Sequence, residues 1–219
     1  MNVAIITIST AAARGERQDV SGEELARLAE AAGAQVVAHE VIADDRVQIE
    51  QMLHRHSDPA SEVAVILTTG GTGLTPDDVT PEATRAVIER EAPGVAEAMR
   101  AESLRHTAMG MLSRGVSGIA GRTLIINFPG SPKSIRELFG VVEPVLEHAV
   151  ATLRREPGTA VPHPTGEGLG HPTGEGLGHP TGEGLGHPTG EGSGHPTGEG
   201  SGHPPGEGEA HAHDGATGD

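Results

Sequence analysis

The chain has 219 residues, a formal net charge of −16, no cysteine, no tryptophan, no tyrosine and two phenylalanines. Its core must therefore be built from Val, Ile, Leu, Ala and Met, and no disulfide can staple it. Acidity on this scale repels nucleic acid and anionic membrane surfaces, which argues against either as a partner and leaves an anionic ligand to local amides, a metal ion or a few placed cations.

The first stretch, "NVAIITIS" at 2–9, reads as a buried strand. The N-terminal "MNVAIITIST" lacks the basic leader and long apolar segment of a signal peptide, and no apolar run approaches the roughly 20 residues of a membrane span. With no cysteine, these features predict a soluble, cytoplasmic protein. Residues 21–33, "SGEELARLAEAAG", predict a helix with Ser21 as N-cap, Glu24 completing a capping box and Gly33 as the stop. A second strand is expected over 34–42, a helix over 46–56 and a very apolar strand, "VAVILTT", over 63–69. A helix from 81 to about 91, helical stretches through 113, a strand "TLIINF" at 123–128 and helices from about 131 to 155 complete the domain. Apolar strands alternating with amphipathic helices predict an α/β domain of three αβα layers around a mostly parallel sheet. In such sheets ligands bind beyond the carboxyl ends of the strands.

Composition changes sharply near residue 156, since all Lys and Arg lie between Arg14 and Arg155. From His163 the octet "HPTGEGLG" recurs at His171 and His179, then with serine for leucine at His187 and His195, ending in a degenerate copy at His203. Such Pro- and Gly-rich sequence cannot bury enough apolar surface to offset ordering entropy. The expectation is a compact domain over 1–156 and a disordered tail over 157–219. The repeated histidines, with His211 and His213 of the closing "HAH", have the chemistry to chelate Ni²⁺ or Zn²⁺ loosely, and the competing reading is a solvating extension with incidental histidines. The core histidines His39, His54, His56, His106 and His148 read as surface or packing residues.

Three loops fall at strand ends. "IADDR" (42–46) leaves the second strand, "TTGGTGLTPDDVTPEAT" (68–84) leaves the third, and "NFPGSPKS" (127–134) leaves the last. Gly70, Gly71 and Gly73 permit several amides to converge on a phosphate or similar oxyanion, and Thr80-Pro81 reads as an N-cap and first helical residue just beyond them. Asp44, Asp45, Asp77 and Asp78 offer hard oxygen ligands of the kind Mg²⁺ takes beside a phosphate. Lys133, the only lysine, offers a point charge for an anion. Taken singly, each loop has a plainer reading: a tight turn, a pair of aspartates placed to favour a helix dipole, a proline-fixed turn with Ser131 or Ser134 as a cap. Their coincidence at strand ends favours a site. No Gly-Lys-Ser/Thr follows the glycines, so this is not a Walker loop.

The long "TTGGTGLTPDDVTPEAT" motif, together with "NFPGSPKS", resembles the MogA/MoaB family of molybdenum cofactor biosynthesis proteins, related to the gephyrin G domain. The resemblance covers about 2–155. It implies a three-layer, commonly trimeric α/β domain that binds molybdopterin and, in active members, adenylylates it with Mg-ATP; work with other cofactor-biosynthesis proteins is a further expectation. By the same resemblance Asp44 and Asp78 match the two aspartates essential for transfer, and the chemistry of the residues makes both the expected holders of Mg²⁺ on the ATP phosphates. Asp19, Ser21 and Gly22 match a segment near the pterin. Thr69, Gly70, Gly71, Thr72 and Gly73, with Pro129, Gly130, Ser131 and Lys133, make up the expected substrate and phosphate walls. Many members end the first strand with Ser-Asp, whereas this chain has Ser9-Thr10. The alternative within the family is a molybdopterin-binding or scaffolding paralogue without turnover.

Overall fold

The computed structural model describes residues 1–155 and Gly158. The domain limits 1–156 and 157–219 and the tail histidines therefore fall partly or wholly outside the described residues. β1 spans Asn2–Ile8, α1 Thr10–Ala13, α2 Val20–Ala31, β2 Gln35–Ile42, α3 Arg46–Ser57 and β3 Val65–Thr69. Then come α4 (Thr80–Val87), β4 (Arg90–Glu91), α5 (Pro93–His106), β5 (Ser117–Ala120), β6 (Thr123–Phe128) and α6 (Pro132–Arg154), with short 3₁₀ turns at Pro59–Ser61 and Ala108–Leu112. The six strands form one sheet in the order β2-β1-β3-β6-β5-β4. The β2, β1, β3 and β6 pairings are parallel, and β5 and β4 are added antiparallel at one edge.

Alternation along the central strands makes the three layers. Val3 and Ile5 of β1, Val65 and Leu67 of β3, and Leu124, Ile126 and Phe128 of β6 face a core closed by α2, α5 and α6 through Leu25, Met99, Ile135, Leu138 and Phe139. Ala4, Ile6, Ile8, Ile66 and Ile125 face the other core, closed by α3 and α4 through Ile49, Leu53, Ala83 and Val87. Both faces of these strands are thus covered, which is why their sequences are continuously apolar. Each such Leu or Ile contributes about 1.5–3 kcal/mol by leaving water. Phe128 and Phe139, the chain's two aromatic residues, pack together with ring centroids 6.3 Å apart.

Several local expectations need correction. The N-cap of α2 is Asp19, whose carboxylate accepts from the Gly22 N–H, while Ser21 is buried inside the first turn. Glu24 does not close a capping box, because its carboxylate pairs with Arg27 and Arg136. Thr80 is the first residue of α4 and not its cap; its hydroxyl donates to the Gly70 carbonyl. The helix expected to reach 91 ends at Val87, and Arg90–Glu91 pair instead with Gly118 and Ile119 of β5. The helices expected after 131 are one helix, α6, which runs through Pro144.

Candidate functional site

The parallel register brings the exits of β1, β2, β3 and β6 level: Ile8 pairs with Ile42, Thr7 with Thr69, and Thr69 with Phe128. Four loops therefore open onto the same end of the sheet. From β3 the chain turns at once through Gly70 (φ 98°) and Gly71 (φ 60°), a region that side chains other than glycine rarely occupy. Space agrees with the dihedrals, since a Cβ on Gly70 would lie 2.2 Å from the Ile8 carbonyl oxygen and one on Gly71 would lie 2.3 Å from Thr80 Oγ1. The Gly70 N–H donates to the Phe128 carbonyl, and the Thr80 N–H to the Gly71 carbonyl. The N–H groups of Gly71 and Thr72 have no acceptor among the described residues. Two neighbouring amides thus stand available to an oxyanion.

Two carboxylates flank this stretch. Asp44, beyond β2, has Oδ1 3.4 Å from where a Gly71 Cβ would be, and Asp78 has Oδ2 3.0 Å from the corresponding position on Gly73. Asp44 is held by Thr10, whose N–H (2.7 Å) and hydroxyl (2.8 Å) both donate to Oδ2, while the Asp44 N–H donates to Thr10 Oγ1 (3.0 Å). Oδ1 takes neither bond and remains turned to the glycines. Thr10, which directly follows Ser9 beyond the end of β1, is therefore the residue that orients Asp44. Asp78 is fixed by its own turn, with the Thr75 N–H (2.8 Å) and hydroxyl (2.6 Å) on Oδ2. Burial pushes the Asp78 carboxyl up, but the Thr75 bonds, the Gly73 N–H and the nearby Arg114 charge outweigh it and hold the group below its ordinary range.

Arg114, which sequence reasoning did not single out, ties the loop down. Its backbone N–H donates to the Thr72 carbonyl (3.0 Å), Nε to the Gly73 carbonyl (2.6 Å), and its two terminal nitrogens to the Asp78 carbonyl and Glu82. Below it the buried Asn127 joins β6 to β3, α4 and the approach to β5. Its amide donates to Thr68 and Thr84 at 3.0 Å each, and its carbonyl oxygen accepts from the Val116 N–H at 3.2 Å.

The remaining expected residues divide into those at the site and one outside it. Thr69 donates to the Pro129 carbonyl (2.9 Å), and a Cβ on Gly130 would lie 3.4 Å from the Gly70 Cα, so the β6 exit lies against the glycine turn. Ser131 caps α6 by accepting from the Ser134 N–H. Lys133 stands apart from these: its side chain is 76% exposed and pairs with Glu137 one helical turn on, 3.7 Å away. His39, read as a surface or packing residue, contacts the Asp19 carboxylate at 2.8 Å, which also accepts from Thr7 (2.8 Å). His56 is buried against Glu40.

Two hollows border the glycine turn. A cavity of about 310 Å³, mostly apolar, is lined by Gly73, Leu74, Met99, Met109, Leu112 and Asn127, among others. A smaller hollow of about 150 Å³ is lined by Thr7, Ser9, Arg17, Asp19, Gly70 and Gly130, among others. The larger volume lies at the lower end of those that hold a small organic ligand. The carboxylates of Asp44 and Asp78 are hard oxygen donors close to free amides, a donor chemistry that suits Mg²⁺. Among the described residues there is no group of three or more His, Cys, Asp or Glu that could hold a metal ion by itself. No helix among them is long and apolar enough to cross a membrane.

Residues 4–148 match a family model described as "Probable molybdopterin binding domain". Among curated proteins, the chain is 43% identical over 148 residues to the molybdenum cofactor synthesis protein cinnamon of Drosophila melanogaster, covering 67% of this chain and 24% of that one. It is 38% identical over 152 residues to a molybdopterin adenylyltransferase of Helicobacter pylori, covering 68% of this chain and 86% of the relative. The chain thus spans about a quarter of the insect relative and most of the bacterial one. Among solved structures, the molybdopterin biosynthesis enzyme MoaB from Thermus thermophilus superposes with a TM-score of 0.65 at 46% identity, over 69% of this chain and 95% of that one. With fold, loop geometry and sequence in agreement, the chain belongs to the MogA/MoaB family of molybdenum cofactor biosynthesis proteins, those built on the molybdopterin-binding domain.

Proposed function

We propose that this protein is a molybdopterin adenylyltransferase. A phosphate oxygen of molybdopterin attacks the α-phosphorus of ATP, the new P–O bond forms as the bond from the α-phosphorus to the α,β-bridging oxygen breaks, and pyrophosphate leaves with the electron pair. The observation that carries the reading is the placement of Asp44 beside Gly71 and of Asp78 beside Gly73, with free amides at Gly71 and Thr72 in the same stretch. Little covalent chemistry falls to the protein in such a transfer, so its contribution is positioning and relief of charge. Asp44 and Asp78 would hold Mg²⁺, which supplies neutralisation of the phosphate oxygens when bound. The free amides donate to phosphate oxygens, Thr10 and Thr75 keep the two carboxylates aimed at the loop, and Arg114 keeps that loop from splaying. The cavity of about 310 Å³ beside Gly73 takes a flat heterocycle. Asp19 and Ser21 line the smaller hollow beside Gly70, with Gly22 next to them in α2, and this side of the turn is where the acceptor molybdopterin is expected. We extend the family resemblance to a cytoplasmic homotrimer.

A second reading, a molybdopterin-binding paralogue without turnover, uses the same site. One experiment separates the two. The protein is incubated with molybdopterin, Mg²⁺ and ATP labelled at the α-phosphate. Labelled pterin product is expected, and Asp78→Asn, which keeps shape and removes charge, lowers its formation at least about 100-fold with pterin binding little changed. Transfer by the variant near the parental rate would remove Asp78 from the mechanism. Saturable pterin binding with no product from the parent protein would assign the second reading.

A further inference from the structure

Most cations of this acidic domain are spent on neighbouring carboxylates: Arg27 on Glu24, Arg46 on Glu50, Arg114 on Glu82 and Lys133 on Glu137. Arg17 is different. It lines the hollow of about 150 Å³ between the β1 exit, Gly70 and Gly130, and it has no carboxylate or carbonyl partner among the described residues. The donors around it are also uncommitted. Ser9 Oγ accepts from the Ala12 N–H, leaving its own proton without an acceptor, and the Gly130 N–H has none either. The one carboxylate bordering the hollow, Asp19, is saturated: Oδ1 takes the Gly22 N–H (2.8 Å) and the Ser21 hydroxyl (3.4 Å), and Oδ2 takes Thr7 and His39 (2.8 Å each). Its charge is spread over internal donors, so it opposes an incoming anion less than a free carboxylate would.

We propose that this hollow is a phosphate subsite distinct from the Gly71–Thr72 amides, and that Arg17 is the residue that sets its affinity for a compact, multiply charged oxyanion. The inference rests on the adenylyltransferase reading for the source of the anion, a phosphate end group of one of the two substrates. The volume is about half of what a drug-sized ligand needs, so it suits a charged end group and not a ring. A guanidinium matches the geometry of such a group with paired donors, and Ser9 and Gly130, whose hydroxyl and amide are uncommitted, line the same hollow. In a chain of net charge −16 an anion needs such a cation close by.

The test is calorimetric titration of the full chain with inorganic pyrophosphate, without added metal, for the parent protein, Arg17→Gln, Arg17→Lys and Arg14→Gln. Arg14 lies on the same exposed segment but off the hollow, so its variant controls for the general loss of one positive charge. The expected result is about tenfold weaker binding for Arg17→Gln, as for loss of one charge-assisted contact, partial recovery in Arg17→Lys, and affinity within about twofold for Arg14→Gln. The subsite is overturned if the parent binds no pyrophosphate, or if Arg17→Gln weakens binding no more than Arg14→Gln does. The labelled-ATP transfer is measured on the same preparations. Arg17-dependent binding without any transfer by the parent would sink the adenylyltransferase reading and leave the subsite standing, whereas transfer with Arg17-independent binding would do the reverse.

Discussion

Thr10 carries more of the site than its chemistry suggests. Its hydroxyl donates to Asp44 Oδ2 and accepts from the Asp44 N–H, so a single side chain fixes both the backbone and the carboxylate of a residue 34 positions away. Thr10→Val keeps the shape and removes both bonds. Chemical denaturation of this variant should show a loss of about 1 kcal/mol, the usual net worth of such bonds, and label transfer should fall several-fold, with Thr10→Ser restoring both. Unchanged transfer in Thr10→Val would mean that the Thr10 N–H alone suffices to aim Asp44. The same contact marks the limit of what sequence could tell. Asp44, Asp78 and the glycines drew notice in the sequence because each sits in a loop that leaves the carboxyl end of a strand, where residue type and position both speak. The roles of Thr10, His39 and Arg114 were not legible there, because they exist only through contacts with residues 34, 20 and 41 positions away. Lys133 drew notice as a rare residue type, and in the first turn of α6 it pairs with Glu137.

At the level of elements, the turn from Thr75 to Asp78 is a small electrostatic device. It places the Thr75 N–H and hydroxyl on the Asp78 carboxylate, favouring the charged form against the cost of burial. A carboxyl held below its unfolded value adds stability that is fully present above that value and fades as pH falls through the folded one. The difference in unfolding free energy between the parent and Asp78→Asn should therefore be constant near neutrality and shrink as pH drops below about 3.8, the ordinary value for the group. A difference that stays flat through acid would show that the turn does not favour the ionised carboxylate. Elements also differ in how plainly they announced themselves. β1, β3 and β6 were readable as unbroken apolar runs, since both faces are buried. β4, two exposed charged residues, and β5, which contains Gly118, offer no such run and owe their pairing to the β6 edge beside them.

For the molecule as a whole, both cores are built from residues no later than Leu153, and the family match ends at residue 148. A chain ending at Arg155 should therefore unfold within about 2 °C of the full chain and transfer label at a rate within about twofold of it. Calorimetry and the labelled-ATP assay check both, and a large drop in either would give the histidine-rich repeats a part in folding or catalysis. The order β2-β1-β3-β6 has one more consequence, and it concerns time. Contacts such as Thr123 with Val63 join residues 60 positions apart, and the three central strands meet only after such long loops have closed. Non-local parallel pairing of this kind slows folding. Because the glycine turn, Asp44 and the Pro129–Gly130 exit become level only once these strands are in register, ligand binding should return on the slow, global refolding phase and not ahead of it.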